Sequence, residues 1–366
     1  MYNKRLGNAG FYLLLLFAFL ITVWPRASYY LAIGIFLLWL SDTVIFHEVE
    51  LSEMPLFYPI LIFNVFLILA GGLSLINGIY SPYIAVGLLS LIYFIVPGFV
   101  MSGERRKMVL WSFIAGVVLT SGIQLITLWG NASEIQTAPF WPGHPLMFQI
   151  ALSLCILIAF FAEAEDLREK LFLGLVALPP ALTAILTLDK AVILVIIVGI
   201  LLVGIFRDRT ILIPAALAVV ILFSGIFGIS YDIEKKITPR EYLAFVLSPI
   251  NEIYNNNDVI KQAQFFGDDA IPSNAVRKSN VEESFFLKML RDVGPPALIV
   301  FLWIFVEQAR GSFSRQKKIL PSETRAHHLG VLLILTAIVI MNLYSSAFEY
   351  GAPVLESWMI IGMSEI

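Results

Sequence analysis

The run KAVILVIIVGILLVGIF, Lys190 to Phe206, carries a single charge, at its first residue, and runs like it recur along the whole chain. A helix crosses the hydrocarbon core of a bilayer with about 20 mostly apolar residues. Stretches of that kind lie near 8–25, 28–46, 55–77, 80–101, 109–130, 147–164, 171–188, 191–206, 211–230, 285–308 and 329–347, and a shorter one, 353–363, reads as a half-span or interfacial helix. Inside lipid every backbone N–H and C=O must find its partner within the protein, which leaves helices and closed barrels. Barrel strands alternate apolar and polar residues, whereas these runs are continuous. The expected fold is therefore all-α: a polytopic integral membrane protein of 11–12 transmembrane helices with one large late loop on the outer side.

Composition agrees. Of the 366 residues 59% are hydrophobic and 14% charged, against about 25% charged in a soluble domain, so there is too little polar surface to cover a water-soluble globule. The many Phe, Trp and Tyr suit the headgroup level. A net charge of −3 gives no electrostatic footprint for nucleic acid. The single cysteine, Cys155, excludes an intrachain disulfide and a cysteine-based zinc site. Lys4 and Arg5 before an apolar run from Phe11 look like a secretory signal, but no small-residue cleavage site follows, and the run is read as a retained first span.

Orientation follows from Lys and Arg in the short loops. With the N-terminus in the cytoplasm, Lys4, Arg5, Arg105, Arg106, Lys107, Arg168, Lys170, Arg207, Arg209, Arg310, Arg315, Lys317, Lys318 and Arg325 are cytoplasmic, and the short outer loops hold only Arg26 and Lys190. The acidic HEVELSEM after the second span runs against this pattern. The chain divides into an N-terminal bundle of about nine helices, 1–230, an outer cap, 231–283, and C-terminal transmembrane helices, 284–366. In the cap, basic and acidic residues are interspersed, and TPREYLAFVLSPINEIY reads as a helix with Thr238 as N-cap and Pro239 in the first helical position.

Few residues here carry chemistry. Lys190, beside Asp189, is either a turn residue in an ion pair or a cation at the outer membrane surface that contacts phosphate. Arg240 is either solvated or paired on the cap helix, or it offers its donor fork to a pyrophosphate. Glu282 and Glu283 are either helix-start charges, with Asn280 as N-cap, or a general base for a hydroxyl. Lys288 and Arg291 follow one to two turns on, at spacings unsuited to pairing with those carboxylates. His144 is the one histidine in an outer segment, next to a proline, and is either structural or a ligand contact. NAS at 131–133 matches a glycosylation pattern and is discounted in a bacterial-type protein.

Three stretches together resemble the bacterial O-antigen ligase and O-antigen polymerase (Wzy-type) superfamily. LTLDKA, 186–191, sits where the family has a Thr-x-Ser-Arg-like turn, with Lys190 in the arginine's place. PREYLAFVLSPI followed by FFGDDA is similar to its "arginine, helix, then Phe-Gly" loop, matching Arg240 and Gly267. EESFFLKMLRDVGPPALIVFLWIF is similar to its His-Asn-x-Tyr-Leu segment before a span, with Glu283 on the histidine, Ser284 on the Asn, Leu287 on the Leu and Gly294 on the Gly. The resemblance covers roughly 130 to 310. It implies transfer of a glycan from undecaprenyl pyrophosphate to an acceptor sugar hydroxyl, at the periplasmic face of the bacterial inner membrane and without a metal or other cofactor.

On that resemblance Glu283 is the base, and Lys190 and Arg240 neutralise the departing pyrophosphate. Lys288, Arg291, Glu282, Gly267 and His144 line the substrate. The partners implied are a lipid-linked oligosaccharide, membrane lipid and a chain-length regulator or export complex. A carboxylate where ligases have histidine turns the reading toward a polymerase, with a ligase acting on lipid A-core as the alternative. Two other classes remain: a non-enzymatic transporter or flippase for a lipid-linked glycan, and a structural subunit of an export complex. A midplane charge site favours transport and an outer cavity favours transfer. Neighbouring helical residues are rotated by about 100°, so Glu282 and Glu283 do not share one face. If Glu283 is the base, Glu283→Gln is expected to lower turnover about 10²–10⁴-fold with substrate binding kept, and Glu282→Gln to change little. The opposite ranking in single-turnover assays moves the role to Glu282.

Overall fold

The computed structural model describes residues 4–46, 54–76, 83–130, 143–187, 189–207, 284–316, 321–344, 347–349 and 351–365. All the regular elements among them are helices: α1 (Lys4–Val23), α2 (Pro25–Phe46), α3 (Phe57–Ile76), α4 (Tyr83–Ser90), α5 (Ile92–Phe99), α6 (Gly103–Gly130), α7 (Gly143–Glu163), α8 (Leu167–Leu186), α9 (Lys190–Phe206), α10 (Phe285–Asp292), α11 (Pro295–Gln316), α12 (Ser322–Tyr344) and α13 (Gly351–Gly362), with short 3-10 turns at Ala347–Glu349 and Met363–Glu365. Six of these, α1, α6, α7, α8, α11 and α12, are long and apolar enough to cross a membrane. The protein is an all-α, polytopic membrane protein. The expected span at 211–230 and the cap at 231–283 lie outside the described residues.

Local sequence sets the helix starts. Asp166 caps α8 by accepting from Arg168 N at 3.2 Å, and Asp189 caps α9 by accepting from Val192 N at 3.0 Å. Two expected continuous spans are broken. The one near 80–101 is interrupted at Leu91, between α4 and α5. There the Ser90 hydroxyl donates to Gly87 O at 2.7 Å and accepts from Asn64 Nδ2 of α3 at 2.9 Å, so the break is held from a neighbouring helix. The one near 285–308 is interrupted at Gly294, which adopts φ 106, and Pro295 then starts α11. A positive φ is open to glycine at little cost, and proline suits the first helical position.

The described helices alternate between two ends of the bundle. One end collects Arg105, whose Nη2 donates to Asn8 of α1 at 2.5 Å, and Lys107, paired with Glu323 of α12 at 2.6 Å. There too Glu163 closes α7 against Arg207 and Arg325. The other end collects Tyr83, whose hydroxyl donates to Asp292 at 3.2 Å, and Ser284, whose hydroxyl donates to Asn342 O at 3.0 Å. Arg105, Arg106, Lys107, Arg207, Arg315 and Arg325 thus share one end among the described residues, and Lys288 and Arg291 lie at the other.

At the centre α7 and α12 run antiparallel and are largely enclosed. Cys155 Sγ approaches Leu333 O at 3.5 Å, and small residues let α1 and α6 come close. α13 is neither interfacial nor lipid-facing: every residue from Ala352 to Gly362 is buried, against α4, α5 and α7. Outward faces are apolar instead, as Leu167, Leu171, Leu175, Leu178, Leu182 and Leu186 show along α8.

A methyl group on Gly116 of α6 would lie 2.7 Å from the Phe19 carbonyl oxygen, a backbone atom of α1. Gly116→Ala is expected to force α1 and α6 apart and to destabilise the bundle by about 1–3 kcal/mol, read as a lowered melting temperature in detergent. Gly122→Ala, where nothing lies within 4 Å, is the matched control.

Candidate functional site

α10 is held at the end of the bundle opposite the arginines by aromatic packing. Phe285 stacks edge-on with Phe301 of α11 at 6.0 Å and with Phe348 at 5.5 Å, and Phe348 meets Phe148 of α7 at 5.8 Å. Its buried face is Phe285, Leu287, Met289 and Asp292. Lys288 and Arg291 are half-buried on the other side. Sequence spacing suggested that both cations were left unpaired; the fold corrects this. Arg291 Nε lies 2.8 Å from Asp292 Oδ1, and the other carboxylate oxygen accepts from Tyr83. Arg291, Asp292 and Tyr83 thus form one chain from α10 to α4. The start of α10 also differs from expectation, since Ser284 is the N-cap residue and the helix begins at Phe285.

Lys190 is the first residue of α9, and Arg207 at the far end of that helix pairs with Glu163, so Lys190 starts at the same end as α10. His144 is in the first turn of α7 at that end too. The side chains of Lys190 and His144 lie outside the described residues, as do Glu282, Glu283, Arg240 and Gly267 altogether. Among the described residues no group of three His, Cys, Asp or Glu is arranged to hold a metal ion.

A second polar site was missed from the sequence. Glu356, on α13, is fully buried. Gln149 Nε2 of α7 donates to its Oε1 at 2.6 Å and also approaches Ile21 O of α1 at 3.2 Å. Glu356 Oε2 and Gln149 Oε1 have no partner among the described residues. The Tyr29 hydroxyl of α2 is within electrostatic reach of Glu356 and bonds to the backbone of Ala352. Tyr29 and Leu355 also border a groove of about 340 Å³ that opens sideways between α2 and α4–α5, lined further by Phe36, Leu88 and Ile92. A carboxyl group at this depth beside a lateral apolar groove is able to bind a proton or a cation away from water. The sequence signal was there: Glu356 is the only charge in GAPVLESWMIIGM, a run too short to count as a full span.

No protein-family model matches the chain, and no curated protein matches it. Gln149→Leu removes the hydrogen bond to Glu356 and leaves a buried carboxyl group unpartnered. The expected cost is about 1–3 kcal/mol of stability, measured by thermal unfolding in detergent. Combining it with Glu356→Leu is expected to restore most of the loss, because the polar group then goes with its partner.

Proposed function

We propose that the protein is a polysaccharide polymerase of the bacterial inner membrane. Its N-terminus is cytoplasmic, and it transfers an undecaprenyl-pyrophosphate-linked glycan to an acceptor sugar hydroxyl at the periplasmic face. One observation carries the reading. The amphipathic α10, with Lys288 and Arg291, sits at the end of the bundle away from the arginine-rich end and leads directly into the span α11. Under the positive-inside rule that end is periplasmic, where flipped lipid-linked glycans are available. It is also the end at which α9 begins, with Lys190 as its first residue.

In this reaction the acceptor oxygen attacks the anomeric carbon, and the bond from that carbon to the pyrophosphate oxygen breaks. The hydroxyl proton passes to Glu283. The negative charge that grows on the pyrophosphate is neutralised by Lys190 and Arg240, with Lys288 and Arg291 adding to the field. The isoprenoid tail stays in lipid. Tyr83 and Asp292 hold Arg291 in position, since one carboxylate bridges the guanidinium and the hydroxyl.

A second reading, transport of a lipid-linked or anionic solute, is favoured by a different observation: Glu356, on a half-length helix that also packs on the interrupted pair α4–α5, is buried against Gln149 of α7. Discontinuous helices around a buried polar site are a transporter feature. The two readings separate on one experiment. Purified protein given a lipid-linked repeat unit is expected to produce a ladder of lipid-linked oligomers. A single transfer to a different acceptor identifies a ligase instead, and no product, with solute uptake that Glu356→Gln blocks, identifies a transporter. Each charge-assisted contact to pyrophosphate contributes about 1.5–3 kcal/mol, so Lys190→Ala and Arg240→Ala are expected to lose most polymer output at normal expression. Lys190→Arg is expected to keep it; full output from Lys190→Ala reduces Lys190 to a turn residue.

A further inference from the structure

α8 and α9 both pack on α7, but they touch each other at few points. The gap between them is an apolar groove of about 400 Å³. Leu154, Leu157, Leu173 and Val203 in it are buried, while Phe161 and Gly174 are exposed, so the groove opens outward from the bundle. Its residues come from the end of α7, the beginning of α8 and the end of α9, which places it in the half of the membrane next to the arginine-rich end. A Cβ on Gly174 would have no heavy atom within 4 Å. Glycine inside a helix weakens it, and here its missing side chain leaves room that no described residue fills.

Two cations stand over this groove. Helical residues three, four and seven positions apart share a face. Lys170 precedes Leu173, Gly174 and Ala177 at those spacings and is half-buried. Arg207, at the C-cap of α9, follows Val203 by four positions and Ile200 by seven. Its side chain is 37% exposed, and its Nε lies 3.3 Å from Glu163 Oε1. The other oxygen of Glu163 lies 3.1 Å from Arg325 Nη2. One carboxylate thus serves two guanidinium groups and leaves a positive charge over. Lys170 has no ion pair among the described residues. Of the acidic groups in the turn between α7 and α8, Asp166 is engaged at the α8 N-cap, where it accepts from Arg168 N. Glu165 and Glu169 are exposed, and Glu169 is turned by about 100° from Lys170.

Lipid tails are as apolar as leucine, so the groove alone does not select one lipid over another; selection falls to the headgroup. A phosphate oxyanion accepts from an ammonium and a guanidinium together. A lysine stem lies along apolar surface while its head stays at the interface, and cations at a membrane surface attract anionic lipid. We infer that an anionic phospholipid of the leaflet at the arginine-rich end seats an acyl chain in the α7–α8–α9 groove and its phosphate between Lys170 and Arg207. The site is at the end opposite α10 and does not depend on the polymerase reading.

The test uses the full chain in nanodiscs of phosphatidylcholine and phosphatidylglycerol in equal parts, with the same acyl chains, and native mass spectrometry reads the lipid retained after release. The wild type is expected to retain phosphatidylglycerol in preference. Lys170→Gln is expected to weaken that preference roughly five-fold, and Gly174→Trp, which fills the groove, to lower phosphatidylglycerol retention at least as much. Arg168→Gln, off the groove face, is expected to leave it within about two-fold, as exposed charges contribute little. Should Gly174→Trp fail to fold, Gly174→Leu is the filling variant. Equal retention of the two lipids by the wild type, a preference unchanged in either Lys170→Gln or the filling variant, or an equal loss in Arg168→Gln overturns the proposal. So does a disulfide between Gly174→Cys and a cysteine introduced within 211–230, because that stretch of the chain would then be the occupant.

Discussion

The hydrogen bond between Gln149 and Glu356 is the contact around which the interior of this bundle is organised. A membrane protein gains little from simple apolar contact between helices, because lipid tails are as apolar as leucine side chains. What distinguishes one arrangement of greasy helices from another is close approach and polar pairing. Glu356 can be buried only where α7 presents Gln149, and Gln149 also reaches the α1 backbone at Ile21. One residue pair thus fixes α13 against α7 and α1. The glycines finish the placement: Cβ atoms at Gly351 and Gly362 would meet the Tyr29 hydroxyl at 2.7 Å and the Tyr93 carbonyl oxygen at 2.8 Å. α13 fits between α2 and α5 because those two positions have no side chain.

The same principle separates the two ends. At the arginine-rich end, charge is matched across helices by Glu163 with Arg207 and Arg325, and by Lys107 with Glu323. Removing Glu163 would leave two guanidinium groups without their shared carboxylate, and losing one partner of a buried pair costs more than the pair itself contributes. At the opposite end aromatic rings around Phe285, Phe301 and Phe348 pack together, and the Arg291–Asp292–Tyr83 chain ties α10 to α4.

How far this was legible in the sequence depends on which property is asked for. Length and hydropathy located the described spans, closely for 191–206 against Lys190–Phe206 but seven residues late at the start for 329–347 against Ser322–Tyr344. They did not find the breaks. The interruption after Ser90 depends on Asn64, a partner 26 residues earlier in the chain, and no local pattern announces it. The interruption at Gly294 was visible as Gly-Pro-Pro and was overridden by the apolar run on both sides. Of the two readings of 353–363, half-span or interfacial helix, burial removes the interfacial one; hydropathy left both open because it does not distinguish a face that meets lipid from one that meets protein. For Lys288 and Arg291, the sequence reading weighed only Glu282 and Glu283 as partners. The partner of Arg291 is its own neighbour, Asp292, which the i,i+4 rule passes over.

The two polar regions outside the arginine-rich end are not mechanically separate. Tyr83, which accepts its place in the fold by bonding Asp292, begins α4; the break at Leu91 ends it, and α4 and α5 together form the wall against which α13 carries Glu356. α4 is eight residues long and meets α5 at Leu91, where the Ser90–Asn64 bond ties the junction to α3. Tyr83 at the head of α4 and Ser90 at its end therefore fix this short helix from two neighbours, α10 and α3.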